Sequence, residues 1–242
     1  MSRSRFGGFR KGKKRYFNNW SILKSEDVAA PETVANLDYS KAKGIWNLKS
    51  TTQFPKSQVT AQPLGLSSSL LQLTSTSASW TQRSVDLTDY AGHEVRLVWR
   101  VVIGTTGNVY ENDVQLDTIS VDGNSYNFDS TTESFETTTN GSDSTYSTAS
   151  FSALGTGTTA EQWNRNTGAT ASGGTGSLTA QSGSYYVYTE TSSPVVNGDV
   201  FWLRSPAITL SSSPGSCTFY EGRDVTGATT TLDFYVDVVT QP

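Results

Sequence analysis

Residues 94–103 read Glu-Val-Arg-Leu-Val-Trp-Arg-Val-Val-Ile, with Val95, Leu97, Trp99 and Val101 at every second position and Arg96 and Arg100 on the other parity. A period of two belongs to a β-strand, whose side chains alternate between its two faces. The rest of the chain is written in the same way. Leu70–Leu73 is a candidate strand and Ser75–Ser79 a polar turn. Arg83–Leu87 alternates and ends at Thr88–His93, a polar turn that should leave His93 on the surface. Val114, Leu116 and Ile119–Val121 give a further strand, closed by the hairpin dipeptide Asp122-Gly123. Tyr185–Tyr188 and Leu232–Val239 supply two more. Composition agrees. Hydrophobic residues make up 35%, charged residues 17% and aromatics 11%, so inner faces can be aromatic and β-branched while outer faces are hydroxyl-rich. An all-β chain follows. It has no run of about 18 apolar residues, so no membrane helix is expected.

Charge is divided unevenly along the chain. Residues 1–56 carry twelve Lys or Arg and four acids, for +8. Residues 57–242 carry six Arg, no Lys and eighteen acids, for −12, and the whole chain comes to −4. Seven cations crowd the first fifteen positions: Arg3, Arg5, Arg10, Lys11, Lys13, Lys14 and Arg15. Phe6, Phe9, Tyr16, Phe17 and Trp20 are interleaved with them. Three readings fit such a leader. It is a solvated tail, an arm for phosphates and stacked bases, or a docking arm whose aromatics bury in a partner. The docking arm is preferred here over the nucleic-acid arm. No apolar stretch follows the basic start, so no secretory leader is expected.

The linker, Ser25–Glu32, is polar and broken by Pro31, so any helix there is short. Gly44-Ile45-Trp46-Asn47-Leu48, followed by Phe54-Pro55, resembles a segment common in tailed-phage structural proteins. Its apolar members Ile45, Trp46 and Leu48 are either a clasp on the body or an interface anchor. The expected organisation is an arm and linker over 1–63 and one β-sandwich over 64–242.

Two stretches carry a wider resemblance. Gly183–Ser193 (Gly-Ser-Tyr-Tyr-Val-Tyr-Thr-Glu-Thr-Ser-Ser) runs on to Leu203–Ile208 and Cys217–Tyr220. Trp80–Leu87 (Trp-Thr-Gln-Arg-Ser-Val-Asp-Leu) runs on to Asn112–Ser120. Together, over about residues 68–239, they resemble the two halves of a MAM domain, an antiparallel jelly-roll sandwich used in adhesion. In that family the Tyr-Tyr-Val-Tyr half comes first. Here it comes second, with Ser134-Phe135-Glu136 opening it, so the resemblance implies a circular permutation with halves 64–125 and 126–242. Completion of each half by a neighbouring subunit is the alternative. MAM domains carry several cysteines, whereas this chain has only Cys217, which reads as a small strand hydrophobe. A fold without disulfides suits a reducing cytoplasm.

Several groups bear on chemistry. Glu111, Asp113, Gln115 and Asp117 alternate and would share one face of a strand, as the paired carboxylates of concanavalin-like glycosidases do. The competing reading has Val114 and Leu116 in the core and the acids toward solvent or a turn, and the MAM resemblance assigns this strand no catalytic role. One His and one Cys make neither a nucleophilic triad nor a zinc site. Gly173-Gly174-Thr175-Gly176 lacks the Lys-Ser/Thr of a phosphate loop. Asp117, Glu136 and loop carbonyls form a candidate structural calcium site, the one cofactor considered. Tyr110 and Trp163 are candidates for stacking on sugars.

The expectation is a non-enzymatic structural protein of a tailed-phage virion, assembled in the host cytoplasm. Its arm would dock on other virion proteins and its sandwich face outward, as capsid or neck decoration or the base of a tail appendage. Self-association is expected too, because a +8 leader can lie against a −12 body. An adhesin for host polysaccharide is the alternative.

Overall fold

A computed structural model of the chain describes residues 34–37, 48–52, 62, 64–104, 108–131, 133–138, 145–172, 175, 179–223 and 229–240. The arm residues Arg3 to Trp20, the expected short helix at 25–32, and Ile45 and Trp46 lie outside the described residues. Contacts divide the chain into two units, Met1–Gln58 and Val59–Pro242. In the first, β1 (Val34–Leu37) pairs antiparallel with β2 (Leu48–Thr52), which Leu48 opens.

Among its described residues the second unit is all-β apart from three short 3-10 turns. It begins with β3 (Gly65–Leu66), β4 (Leu71–Leu73), β5 (Ser77–Asp86) and β6 (Glu94–Val102). Next come β7 (Gln115–Val121), β8 (Asn124–Tyr126), β9 (Glu136–Thr138), β10 (Phe151–Ala153), β11 (Gly155–Thr156) and β12 (Trp163–Asn166). The last are β13 (Tyr186–Thr189), β14 (Val200–Arg204), β15 (Ile208–Thr209), β16 (Ser216–Arg223) and β17 (Thr231–Thr240). One sheet has the order β10-β9-β14-β6-β17-β3, with β15 also on β6 and β4 on β17. The other has the order β11-β12-β13-β7-β16-β5, with β8 on β7. Pairing is antiparallel except between β11 and β12. Within this chain β7 lies between β13 and β16, and β6 between β14 and β17, so strands from 64–125 and 126–242 interleave.

The two sheets face each other across one core. Val95, Leu97, Trp99 and Val101 of β6 all lie in it, as their alternation requires. Trp99 is fully buried and edge-on to Phe219 of β16 and Phe234 of β17, with ring centroids at 5.7 and 5.2 Å. Trp163 lies in the same core, and its backbone N–H crosses to Thr137 Oγ1 in the opposite sheet (3.0 Å).

Local chemistry fixes the turns. Asp122 (φ +45°) and Gly123 (φ +80°) give the left-handed pair that a two-residue hairpin between twisted strands demands. The expected polar turn at 75–79 is shorter than its sequence suggests, because β5 already starts at Ser77, paired to Arg223. Cross-strand partners there outweigh the low strand propensity of serine.

Within the second half, just after β8, Asp129 is the anchor. Its carboxylate accepts the N–H groups of Ser184 (2.7 Å) and Tyr185 (3.1 Å), while Arg165 donates to the carbonyls of Phe128 and Asp129 and lies over the Tyr185 ring. Gly183 makes this approach feasible. Its φ is +67°, and a Cβ there would come 2.0 Å from Asp129 Oδ2.

Gly183→Ala should therefore lower stability by about 2 kcal/mol or more, since the carboxylate must leave its two donors as the backbone strains. Trp99→Ala should cost about 3–5 kcal/mol, because it leaves a void between the sheets. Urea titration followed by fluorescence and circular dichroism checks both.

Candidate functional site

The sandwich has two unlike ends. At one, the chain joins the body. The Gln62 N–H donates to His93 Nε2 (3.0 Å), and His93 Nδ1 lies 3.1 Å from the Ala91 carbonyl, so Nδ1 carries the proton and Nε2 accepts. His93 is fully buried, contrary to its expected surface position, because its two ring nitrogens tie the linker to the turn before β6. Beside it lies an open hollow of about 280 Å³ lined by Gln62, Leu66, Ser67, Ser68, Tyr90 and Val238. β17 also finishes here, with Gly65 opposite Val238 and Leu66 opposite Asp237.

At the other end, the described residues of three connections meet: 103–104 and 108–114, 190–199, and 229–230. Gly104 N–H donates to Thr230 Oγ1 (2.9 Å), and that hydroxyl donates to Asn112 Oδ1. A Cβ at Gly104 would fall 2.5 Å from the Thr229 and Thr230 nitrogens, so only glycine permits this approach. Asn112 then holds the 3-10 turn at Val109–Glu111 through the carbonyls of Asn108 (2.8 Å) and Val109 (3.0 Å). That turn presents Tyr110 at 48% exposure, its hydroxyl accepting from Asn108 Nδ2, which also donates to Glu111 Oε1. Val196, 57% exposed, is presented by the neighbouring connection. Ten residues of β17 separate this end from the linker, a span on the order of 30 Å.

Along the outer face of the second sheet runs a buried acidic seam. Val114 and Leu116 point into the core, which turns Asp113, Gln115 and Asp117 the other way, as the alternation predicts. These three do not face solvent, however. All are fully buried, because the connection between β12 and β13 folds over them. Asp113 accepts from the Thr175 hydroxyl (2.9 Å), the Thr191 hydroxyl (2.8 Å) and the Thr191 N–H (3.2 Å). Asp117 accepts the N–H groups of Thr118 (2.6 Å), Gln181 (2.7 Å) and Ser182 (3.1 Å). Glu190, also buried, takes the Tyr188 hydroxyl (3.0 Å) and the Ser192 N–H (3.0 Å). Burial pushes the Asp113 carboxyl up to about 7, with the Glu190 charge adding to the rise and the threonine donors opposing it. Burial alone raises Asp117 to about 6 against its three N–H donors. The Tyr186 hydroxyl rises to about 12, and Tyr188 rises further beside Glu190. These carboxylates hold a loop in place and are closed to a ligand in solvent.

Two expected sites are corrected. Trp163 is fully buried in the core and cannot stack on a sugar, since β12 turns its indole inward. Of the two glycan candidates, only Tyr110 is exposed. The calcium pair is separated: Asp117 lies on β7 and is held by N–H donors, whereas Glu136 lies on β9 of the other sheet, engaged by Arg204 (2.6 Å) and Arg96 (3.3 Å). Among the described residues no group of three or more His, Cys, Asp or Glu is placed to hold a metal. Cys217 lies buried on β16, its thiol pushed up to about 12 by burial, so it behaves as a strand hydrophobe.

Asp113 and Asp117 bind their protons more tightly in the folded chain than in the unfolded one, where aspartate titrates near 3.8. Between that value and about 7 the folded state holds the extra protons, so their contribution to stability falls as pH rises through the window. Asp113→Asn removes the larger share. The stability of the variant relative to the parent should rise by about 2–4 kcal/mol between pH 4.5 and pH 8, and a difference independent of pH would rule the assignment out. Denaturant unfolding across that range measures it.

The chain matches no family model, no curated protein and no solved structure.

Proposed function

We propose that this chain is a non-enzymatic structural protein of a tailed-phage virion. Its basic leader docks on other virion proteins, and its sandwich, read as a permuted MAM-like jelly roll, is displayed outward on the capsid, the neck or a tail appendage. The observation that carries this reading is the polarity of the sandwich. The linker joins at the His93 end, while Tyr110 and Val196 are presented at the opposite end. A domain fixed by such a linker presents its loop end to whatever lies beyond the particle. The leader contributes its part through composition, seven cations and five aromatics in its first twenty residues, which suits burial against an acidic, apolar partner.

Sedimentation from infected cells tests this. The full chain should travel with particles, and a chain lacking residues 1–56 should stay in the soluble fraction. A full chain that stays soluble, or a truncated one that still sediments, removes the arm from its proposed role.

A polysaccharide adhesin is the second reading, and exposed Tyr110 with Asn108 and Glu111 beside it favours it. An aromatic face flanked by an amide and a carboxylate can stack on a sugar ring and bond its hydroxyls. Under that reading Tyr110→Ala weakens binding to host-cell polysaccharide at least tenfold without changing the melting temperature. Undiminished binding would sink it.

A further inference from the structure

We propose that Thr118 and Gln181 join in an ester bond formed by the chain itself, with Asp117 as the base, tying β7 to the connection that leads into β13. The Thr118 hydroxyl donates to Gln181 Oε1 at 2.6 Å, and Asp117 Oδ1 lies 3.4 Å from the same hydroxyl oxygen. A carbonyl bond of about 1.23 Å then puts that oxygen within about 3.8 Å of the Gln181 carboxamide carbon. Nucleophile, base and acyl group thus meet in one place, between residues sixty-three positions apart.

A bulge brings Thr118 there. Leu116, Ile119 and Val121 of β7 all lie in the core, so the step from 116 to 119 holds one residue too many for simple alternation. The register on β16 agrees. Tyr220 lies opposite Asp117 and Thr218 opposite Ser120, which leaves Thr118 and Ile119 to share Phe219. An extra residue of this kind re-aims a side chain, and here it turns Thr118 to the outer face beside Asp117. The φ of Thr118 is +46°, a left-handed conformation that a β-branched residue seldom adopts, and such strain collects at functional sites. Gln181 is fixed just as closely. Asp117 Oδ2 accepts the Gln181 N–H (2.7 Å) and the Ser182 N–H (3.1 Å), while Asp117 Oδ1 accepts the Thr118 N–H (2.6 Å). One carboxylate therefore holds both reacting residues by their backbones.

The same carboxylate suits the chemistry. Asp117 is fully buried and raised by that burial to about 6, so it is ionised at neutral pH and a stronger base than an exposed aspartate. It takes the hydroxyl proton as Thr118 Oγ1 attacks the carboxamide carbon. The tetrahedral intermediate collapses by breaking the C–N bond. The proton passes from Asp117 to the departing nitrogen, which leaves as ammonia. One C–O bond replaces one C–N bond, with no change of oxidation state and no co-reactant. In a chain whose single cysteine allows no internal disulfide, this bond supplies a covalent staple.

Mass spectrometry of the full chain after prolonged incubation at neutral pH tests the inference. The joined chain is lighter than its sequence by one ammonia molecule. Trypsin leaves Thr118 on residues 101–165 and Gln181 on residues 166–204, and the ester should hold these two peptides together as one branched species. Fragmentation of that species locates the bond without any variant, and hydroxylamine should part it. Thr118→Val should abolish it, and Asp117→Asn should slow its appearance by about 100-fold or more. Two peptides that run separately from the folded parent overturn the inference, even where ammonia has been lost, as an imide at Asn197-Gly198 would cause. So does a bond that maps to other residues or persists in Thr118→Val. Formation at the parental rate in folded Asp117→Asn removes Asp117 as the base. The arm-docking reading is measured by sedimentation and stands or falls separately.

Discussion

Trp99 is the point where the two sheets become one body. It projects from the middle of β6, between β14 and β17, and its ring meets Phe234 of its own sheet and Phe219 of the facing one. Phe219 and Phe234 stack on each other at 5.7 Å, and Phe135 closes the far side. Each aromatic pair of this kind adds about 0.5–1.5 kcal/mol beyond the area it buries. With one cysteine in the chain, no intramolecular disulfide can share that task. Facing strands are held apart and together by this cluster, and the positions of every loop follow from it.

Buried charge refines what the core begins. Glu221 and Arg223 are both fully enclosed at the loop end of the sandwich, joined at 3.1 Å, with Arg83 completing the carboxylate's shell. Arg223 spends its remaining donors on the carbonyls of Leu73 at the end of β4, Ser75 before β5 and Thr230 before β17. A guanidinium buried there is tolerated only when all of these partners are in place. The network therefore favours one arrangement of the loop end over near alternatives. Asp113, Asp117 and Asp129 do the same for the connections around β13, each drawing backbone N–H groups from a segment distant in sequence. Loops pinned in this way present Tyr110 and Val196 in fixed positions, as a contact surface needs.

How far the sequence revealed this depends on the range of the interaction. β6, β7, the Asp122-Gly123 hairpin and β17 were legible because alternation and turn chemistry act within a few residues. Tyr110 and Trp163 were equal candidates in the sequence, and only the fold separates them, leaving Tyr110 exposed on its 3-10 turn and Trp163 in the core. His93 was not. Its neighbours in sequence are polar, and only the arrival of Gln62, thirty-one positions away, explains its burial. The acids of β7 were assigned to the correct face, but the loop that roofs them is brought by β13 and carries no hydrophobic signature. Trp163 could be read either way, since a strand of four residues gives too short a period to fix which side is inward. Glu190 escaped notice as a buried group because a carboxylate just past the end of β13 reads as a solvated residue, and only the fold closes the Tyr188 hydroxyl and the Ser192 N–H around it.

The pairing of β3 with β17 sets how the domain would carry a pull. Gly65 and Leu66 lie antiparallel to Val238 and Asp237, and Ser67 and Leu70 continue the contact to Val236 and Phe234. Tension between the linker and the opposite loop end runs along these strands, while their hydrogen bonds lie across them. The bonds therefore share the load side by side, in shear, and do not open one after another. The fold thus meets an axial pull with a strip that resists as a unit, fastened to a body held by its aromatic core.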